Sequence, residues 1–475
     1  MSRIESIPEL YFASRWKYKA EGNVNIILTY VVQYNEIDSY ALKLGTVLRL
    51  RKSAKNADTN DMVNKDAMNA SLYVSTVIAP LLGEYVGESI LLEVQPKFLR
   101  EIANLIYSMR PAKRLHKDID FTQRYAILIS DHTIFDLGPN PSLSIELKPK
   151  WVFLPTSPHI SPENSQKLRT CRFCMHQHYK LLNKSDERLS TVTEYCPLDL
   201  FSLVDERMNR SIKELLKFPG HTLKLFLRGE QLQVDKEGWQ RELCKFFELD
   251  FSGDQEKTQD CNDVILDLLH MLLSTMFREE KNFLNRLKHL QSSLDELDIE
   301  GIYKYYVARR SNFSDPTIGE WKMVVDEYLR RIKDPRVSVG RDDDVSIRQR
   351  LYEFLISATL KDCSIMMTFK KSTEASGKID SSSALFPQKT PKELLLSLQD
   401  FGKNVKDFEE NSNRKRYLKD LYDKHSSYET SFNYKIFVID LDPKLVSNIP
   451  HYHELDAKIV ENYTKNCKTK KTCVE

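Results

Sequence analysis

Three groups of charged residues stand at the ends of short apolar runs. They are Glu146, Lys148 and Lys150 in SLSIELKPKWVFL, Lys361 and Asp362 in KDCSIMMTF, and Asp440, Asp442 and Lys444 in YKIFVIDLDPK. A strand end holds a side chain rigidly at the rim of a sheet, where a cleft can form. Phosphoryl transfer needs cations against phosphate oxygens, a carboxylate that holds Mg2+, and a carboxylate that accepts the proton of the attacking hydroxyl. These clusters contain each of those groups. Singly, each also matches an ordinary strand end with solvated charges, so the chemistry depends on their being brought together.

Strands that end at one place would do that. Residues 24–33 and 46–50, rich in Val, Ile, Leu and Thr around Asn35, Glu36 and Asp38, read as a hairpin. A polar linker at 52–69, an amphipathic stretch at 70–82 and strands at 89–94 and 125–130 complete an N-terminal unit of mixed sheet and helix. At 142–154 apolar and charged residues alternate as in a half-exposed strand, and Pro149 confines it to an edge or a bend. Helical spacing dominates 165–183, 198–217 and 260–293, as in Val264, Leu268, Met271, Leu272 and Met276. The stretch 311–344 is polar and irregular, 347–360 is helical and leads into KDCSIMMTF, and 371–391 has the composition of a loop. Residues 434–441 form a strand, LLLSLQ is helix-like and ends near Gly402, and the basic residues after Tyr463 read as a frayed tail.

Composition narrows the function classes. The 475 residues carry 70 basic against 68 acidic side chains, a net charge of +2, which argues against a dedicated nucleic-acid binder. With 41% hydrophobic residues the chain fills substantial cores and suggests roughly two or three domains. Glycine is scarce, 14 residues, and no G-x-G occurs, so the dinucleotide fingerprint, the P-loop and the glycine loop of protein kinases are missing in standard form. The eight cysteines are scattered and the sequence opens without an apolar leader, which suits a reducing nuclear or cytoplasmic compartment. The most apolar stretch, 72–94, contains Pro80, Glu84 and Glu88, so no membrane span is expected, and TCVE does not match a prenylation box. Cys171-x-x-Cys174 with His176 and Cys196 has the donors of a zinc site but sits in a helical pattern. Asp400-Phe401-Gly402 matches a protein-kinase metal motif without its companion motifs and reads as a chance tripeptide.

Ten blocks give the sequence a family. EGNVN (21–25), VLRL (47–50), LLGEYV (81–86), SDHTIF (130–135), IELKPKWVFLP (145–155), CRFCMHQ (171–177), YCPLDLFS (195–202), LDIEG (297–301), KDCSIM (361–366) and DLDPK (440–444) occur in this order. In them the chain resembles inositol-pentakisphosphate 2-kinases. The resemblance implies an α+β, two-lobed kinase-like fold, with a mixed N-lobe at 1–132 and a larger helix-rich C-lobe at 133–475 that includes a helical insertion at about 203–346. It implies transfer from ATP, with Mg2+, to the 2-hydroxyl of inositol 1,3,4,5,6-pentakisphosphate, giving the hexakisphosphate phytate without a covalent enzyme intermediate. A catalytically inactive inositol-phosphate-binding scaffold is the alternative, and a broader multikinase would need a P-x-x-x-D-x-K-x-G motif that PLDLFS and DLDPK do not match.

Residue by residue, the resemblance makes Gly22, Asn23, Val24 and Asn25 a loop over the ATP phosphates and puts Arg49 in place of the usual kinase lysine. Asp131 and His132 fall at the hinge, with Glu146, near the adenosine. Asp362 is the base, Lys148 contacts the transferred phosphoryl group, and Asp440 binds Mg2+ with Asp442 as a second ligand. Arg114, Lys150, Lys224, Lys444 and Tyr452 hold the inositol phosphates, with Arg110 or Lys113 as substitutes for Arg114. Cys174, His221 and Asn448 depart from residues found in some relatives. A zinc site that some relatives carry after the LDIEG block has no counterpart, since 302–360 lacks cysteine, so no structural zinc is expected. The expected partners are ATP and the inositol phosphate, with no nucleic acid, for a monomer of the nucleus or cytoplasm.

Overall fold

In β2 (Asn25–Tyr30) every second residue, Ile26, Leu28 and Tyr30, is buried and the residues between are half-exposed, so one face of this strand is a core face. It belongs to the first of two antiparallel sheets in the computed structural model. The model describes residues 8–31, 45–54, 67–136, 138, 140–183, 191–220, 222–234, 239–247, 258–309, 313–334, 344–372, 390–397 and 429–475. β1 (Trp16–Glu21), β2, β3 (Thr46–Ala54), β6 (Tyr125–Ser130) and β4 (Ser89–Glu93) lie side by side in that order, and β5 (Lys117–Ile119) pairs with β3. The expected hairpin is the β2–β3 pair, with Ile27 opposite Arg49. Its turn residues Asn35, Glu36 and Asp38 lie outside the described residues, and β3 runs to Ala54, beyond the expected start of the linker.

Two helical segments sandwich this sheet. α1 (Ala67–Tyr73) passes through a π turn at Val74–Ile78 into Ala79–Leu82. Its Ala67 and Ala70 meet Ile127 on one face of the sheet, while Tyr73, Val77, Ile78, Leu81 and Leu82 enter the core of the second sheet. α2 (Pro96–Ile106) covers the opposite face with Phe98, Leu99, Ile102 and Ile106. The sequence reading placed no helix here, although the four-residue spacing of Phe98, Ile102 and Ile106 was legible.

The second sheet has the order β11 (Lys392–Ser397), β12 (Glu429–Ile439), β10 (Ser364–Lys371), β7 (Ser142–Leu147), β8 (Leu223–Leu227) and β9 (Glu230–Gln231). β7 corrects the expectation of a half-exposed edge strand over 142–154. It is buried throughout between β10 and β8, and it stops before Lys148. Its polar residues can be buried because they have partners: Ser144 donates to the carbonyl of Thr133 at 2.8 Å, and Glu146 accepts from Ser364 at 2.9 Å.

Helices pack around this sheet: α3 (Arg172–Leu182), α4 (Asp205–Lys217), α5 (Trp239–Phe247), α6 (Thr258–Glu279), α7 (Lys281–Ser293), α8 (Asp298–Ala308), α9 (Ile318–Lys333), α10 (Asp344–Leu360) and α11 (Ile449–Asn466). Three expectations are corrected. The irregular stretch 311–344 contains α9, whose capping box of Thr317 and Glu320 and apolar stripe of Trp321, Val324, Val325 and Tyr328 were legible. LLLSLQ is largely strand β11, because its pairing with β12 overrides a helical pattern; Asp400, Phe401 and Gly402, like residues 373–389 of the expected loop, lie outside the described residues. The residues after Tyr463 continue α11 to Asn466 and then pack back on the fold, with Cys473 buried and its N–H donated to the Arg169 carbonyl at 2.8 Å. The architecture is mixed helix and antiparallel sheet, α+β. No helix among the described residues is long and apolar enough to cross a membrane.

Candidate active site

Neighbouring strands of the second sheet alternate in direction, so β7 and β12 end where β8 and β10 begin. Leu147 pairs with Ile365 on one side and Leu223 on the other, and Ser364 pairs with Ile439. The three charged clusters therefore meet at one rim, with Lys224 entering from β8. Two rim residues, Lys150 and Asp440, hold positive φ values of 64° and 61°. That conformation is uncommon for residues with a Cβ and concentrates at functional sites.

The charges interlock. Lys148 Nζ bonds Asp440 at 2.7 Å and lies 3.9 Å from Glu146, whose other oxygen accepts from Lys224 at 2.7 Å. Asp362 stands between two ammonium groups, Lys444 at 2.8 Å and Lys150 at 3.4 Å. Tyr452 on α11 lies beside Lys444. Burial would raise the Asp362 carboxyl, but Lys444, Lys150 and Lys148 hold it below its ordinary value. Burial likewise opposes ionisation at Asp440, where Lys148 and Arg49 prevail and lower it. For Lys148, burial pulls down and Asp440 and Glu146 pull up more strongly, so its ammonium is favoured. At Lys150 burial outweighs Asp362, and its ammonium is held below the ordinary range. The rim is thus an ionised lattice of carboxylates and cations.

The first sheet reaches this rim at Asp442. Arg49 of β3 forms an ion pair with Asp442, and Asn25 of β2 donates to it at 2.9 Å. Asn25 Oδ1 is buried without a hydrogen-bond partner. Asp440 and Asp442 supply the hard oxygens that Mg2+ prefers. The Asp440 side chain is 55% exposed against 28% for Asp442, so Asp440 is the more accessible of these two oxygen donors.

Other expected residues lie elsewhere or are otherwise engaged. Gly22, Asn23, Val24 and Asn25 form the β1–β2 turn, closed by the Gly22 N–H bond to the Asn25 carbonyl at 2.9 Å. Arg114 bonds the Asn23 side chain on this turn. Arg110, offered as its substitute, is buried against Glu21 and Asp118, which makes it a structural residue and leaves Lys113. Asp131 receives Lys19 at 2.5 Å and the N–H and hydroxyl of Thr133, while the His132 ring stacks on Phe437 at 4.0 Å. His221 lies outside the described residues. Lys361, grouped with Asp362 as a candidate cation, turns inward instead, to an ion pair with Asp295 and the face of Trp151, 4.0 Å from its centroid.

Some participants had no sequence signal. Gln291 on α7, wholly buried, donates to the carbonyls of Lys150 and Leu360 at 3.1 and 3.0 Å and accepts the Val152 N–H at 3.1 Å. It fastens the exit of β7 to the approach of β10. Ser364 donates to Glu146 and lies 3.1 Å from Asp440. His176 of α3 senses the rim: burial, then Arg172, Lys180 and Lys150, push it down to about 3, so the imidazole stays neutral in a positive field. A motif position, MHQ, marked His176; only the fold places it near Lys150.

Comparison with known proteins places the whole chain in a family. An inositol-pentakisphosphate 2-kinase of Danio rerio is 28% identical over 95% of this chain and 93% of its own length. The relative named inositol-pentakisphosphate 2-kinase IPK1 from Oryza sativa subsp. indica is 30% identical over 96% of this chain and 94% of its own. An inositol-pentakisphosphate 2-kinase of Arabidopsis thaliana is 27% identical over 99% and 97%. The family model described as inositol-pentakisphosphate 2-kinase matches residues 18–458, so the chain belongs to that family.

Proposed function

We propose that this protein transfers the γ-phosphate of ATP to the 2-hydroxyl of inositol 1,3,4,5,6-pentakisphosphate, forming the hexakisphosphate. The observation that carries this reading is Asp362 held between Lys150 and Lys444, on the same strand rim as Lys148 and the Asp440-x-Asp442 pair, in a member of this family. A pentakisphosphate carries up to about ten negative charges, at about two per phosphate. Lys150, Lys224 and Lys444 on the rim, with Tyr452 from α11 and Arg114 contributed from beside the β1–β2 turn, give it a cationic bed in a chain whose net charge is only +2.

In this reading the first sheet and its helices, residues 1–132, form an N-lobe that takes ATP. Residues 133–475 form a C-lobe that takes the inositol phosphate, with a helical insertion at about 203–346. Gly22 to Asn25 cover the ATP phosphates and Arg49 binds them, while Asp131, His132 and Glu146 lie toward the adenosine. Asp362 orients the acceptor hydroxyl and takes its proton. The hydroxyl oxygen bonds to the γ-phosphorus as the bond to the β–γ bridging oxygen breaks and ADP leaves. Lys148 neutralises charge on the oxygens of the transferred group. Mg2+, held by Asp440 with Asp442 as a second ligand, supplies neutralising charge to the ATP phosphates when bound.

The test is incubation of purified protein with ATP, Mg2+ and inositol 1,3,4,5,6-pentakisphosphate, with products resolved by anion exchange and the new phosphate located by NMR. The hexakisphosphate is expected; no product would overturn the proposal. With an acceptor carrying a free 2-hydroxyl and another free hydroxyl, phosphate found only on the other one would overturn the positional assignment.

A further inference from the structure

Ser364 opens β10 at the rim and is wholly buried. It pairs with Ile439 of β12, and its neighbour Ile365 pairs with Leu147 of β7, so it starts its strand where the two strands carrying Asp440 and Glu146 end. Its hydroxyl oxygen lies 2.9 Å from Glu146 Oε1 and 3.1 Å from Asp440 Oδ2. An ionised carboxylate only accepts hydrogen bonds, and a serine has one proton to give. One buried hydroxyl therefore serves two acceptors in turn.

The cations around these carboxylates are committed differently. Lys148 spans the same two oxygens, 2.7 Å from Asp440 Oδ2 and 3.9 Å from Glu146 Oε1. Lys224 holds the other oxygen of Glu146, Oε2, at 2.7 Å, so Glu146 keeps a donor when the serine proton turns away. Lys148 is the residue given above to the oxygens of the transferred phosphoryl group, and making that contact draws its ammonium off Asp440. Ser364 is neutral and fixed in the strand, so it remains. Asp440 has little else to aim its side chain: its φ is 61°, an uncommon backbone conformation for a residue with a Cβ, and its side chain is more than half exposed. A donor on Oδ2 sets the plane of the carboxylate and leaves Oδ1 for an ion.

We infer that Ser364 is a positioning residue that shares its proton between Glu146 and Asp440 in the empty site and gives it to Asp440 when Mg2+ and ATP are bound, holding that carboxylate in the orientation that binds the ion. The inference rests on the metal role proposed for Asp440. A hydrogen bond to an oxygen of a metal-binding carboxylate fixes the ligand and tunes its affinity without touching the metal.

Mn2+ is the probe, with its free fraction read by electron paramagnetic resonance in the presence of the full chain and a non-hydrolysable ATP analogue. Ser364→Ala should weaken Mn2+ binding about five- to tenfold, the loss of one hydrogen bond. Ser364→Cys, which keeps the shape and donates weakly, should weaken it as well, and it carries the test should Ser364→Ala fail to fold. In turnover assays the KM for Mg2+ should rise in both variants while the KM for the inositol phosphate stays near the wild-type value. Wild-type Mn2+ affinity in both variants, with binding abolished by Asp440→Asn, would overturn the positioning role and leave the metal role of Asp440 standing. Full affinity in Ser364→Cys with a loss only in Ser364→Ala would assign the effect to packing and equally overturn it. Mn2+ binding indifferent to Asp440→Asn would remove the metal role itself, and this inference with it.

Discussion

Asp362 is more than half exposed yet held by two lysines, so the same contacts that keep it ionised also place it. Replacing it with Asn keeps the shape and removes the proton acceptor. Asp362→Asn should lower kcat about 10²–10⁴-fold and leave the KM for ATP within a few-fold; near-normal turnover would show that the base lies elsewhere. Lys444→Ala should raise the KM for the inositol phosphate more than that for ATP, since Lys444 sits with Asp362 and Tyr452 and not with Arg49. A rise confined to ATP would reverse that placement. Gly22 offers a sharper comparison. A Cβ built there meets nothing within 4 Å and the residue does not have positive φ, so nothing in its backbone demands glycine. Arg49, by contrast, carries a fixed charge aimed at the rim. Gly22→Ala should therefore weaken ATP binding less than Arg49→Ala, measured by calorimetry, and the opposite order would make the β1–β2 turn the main phosphate contact.

Strand ends become a site only when the elements behind them are fixed. Gln291 of α7 ties Lys150 to the end of α10, and the Lys361–Asp295 ion pair is buried between the two helices that lead into the rim. Burial pushes Asp295 up to about 6 even with Lys361 beside it, so this pair is costly to desolvate and depends on both partners. Removing one partner leaves an uncompensated buried charge. Asp295→Ala should cost about 3–5 kcal/mol in denaturant unfolding, and a loss below about 1 kcal/mol would mean that Lys361 finds water or another partner. The sequence placed α7 and α10 by their apolar periodicity, but it carried no sign that a polar pair locked them together. Isolated polar residues in a helical stripe look solvated until the packing is known.

At the scale of the molecule, Asp442 joins the two sheets, through Arg49 and Asn25 on one side and β12 on the other. Burial would raise its carboxyl, but Arg49, Arg51 and Asn25 hold it below the ordinary value of about 4. Such a depressed carboxylate contributes stability that is present above the unfolded-state value and is lost as pH falls through the folded one. Thermal unfolding should therefore lose stability below about pH 4, and Asp442→Asn should reduce that acid-dependent loss while costing about 1–3 kcal/mol at neutral pH; an unchanged acid profile would show that the pair does not couple the sheets. Much of the molecule was legible in advance. Apolar runs marked β4, β6, β10 and β12, helical spacing marked α1, α3, α4, α6, α7 and α10, and ten ordered blocks marked the family, because local periodicity and motif order are properties of the chain itself. Burial of β7, conversion of LLLSLQ to strand β11 and docking of the residues after Tyr463 were not legible, since each depends on a partner far away in sequence. The residue types at the rim, carboxylates among lysines at strand ends, were determined by the sequence alone. Their convergence was decided by tertiary structure, because antiparallel pairing sets which strand ends share a rim, just as folding brings the Cys473 N–H to the Arg169 carbonyl, and neither proximity is written in local spacing.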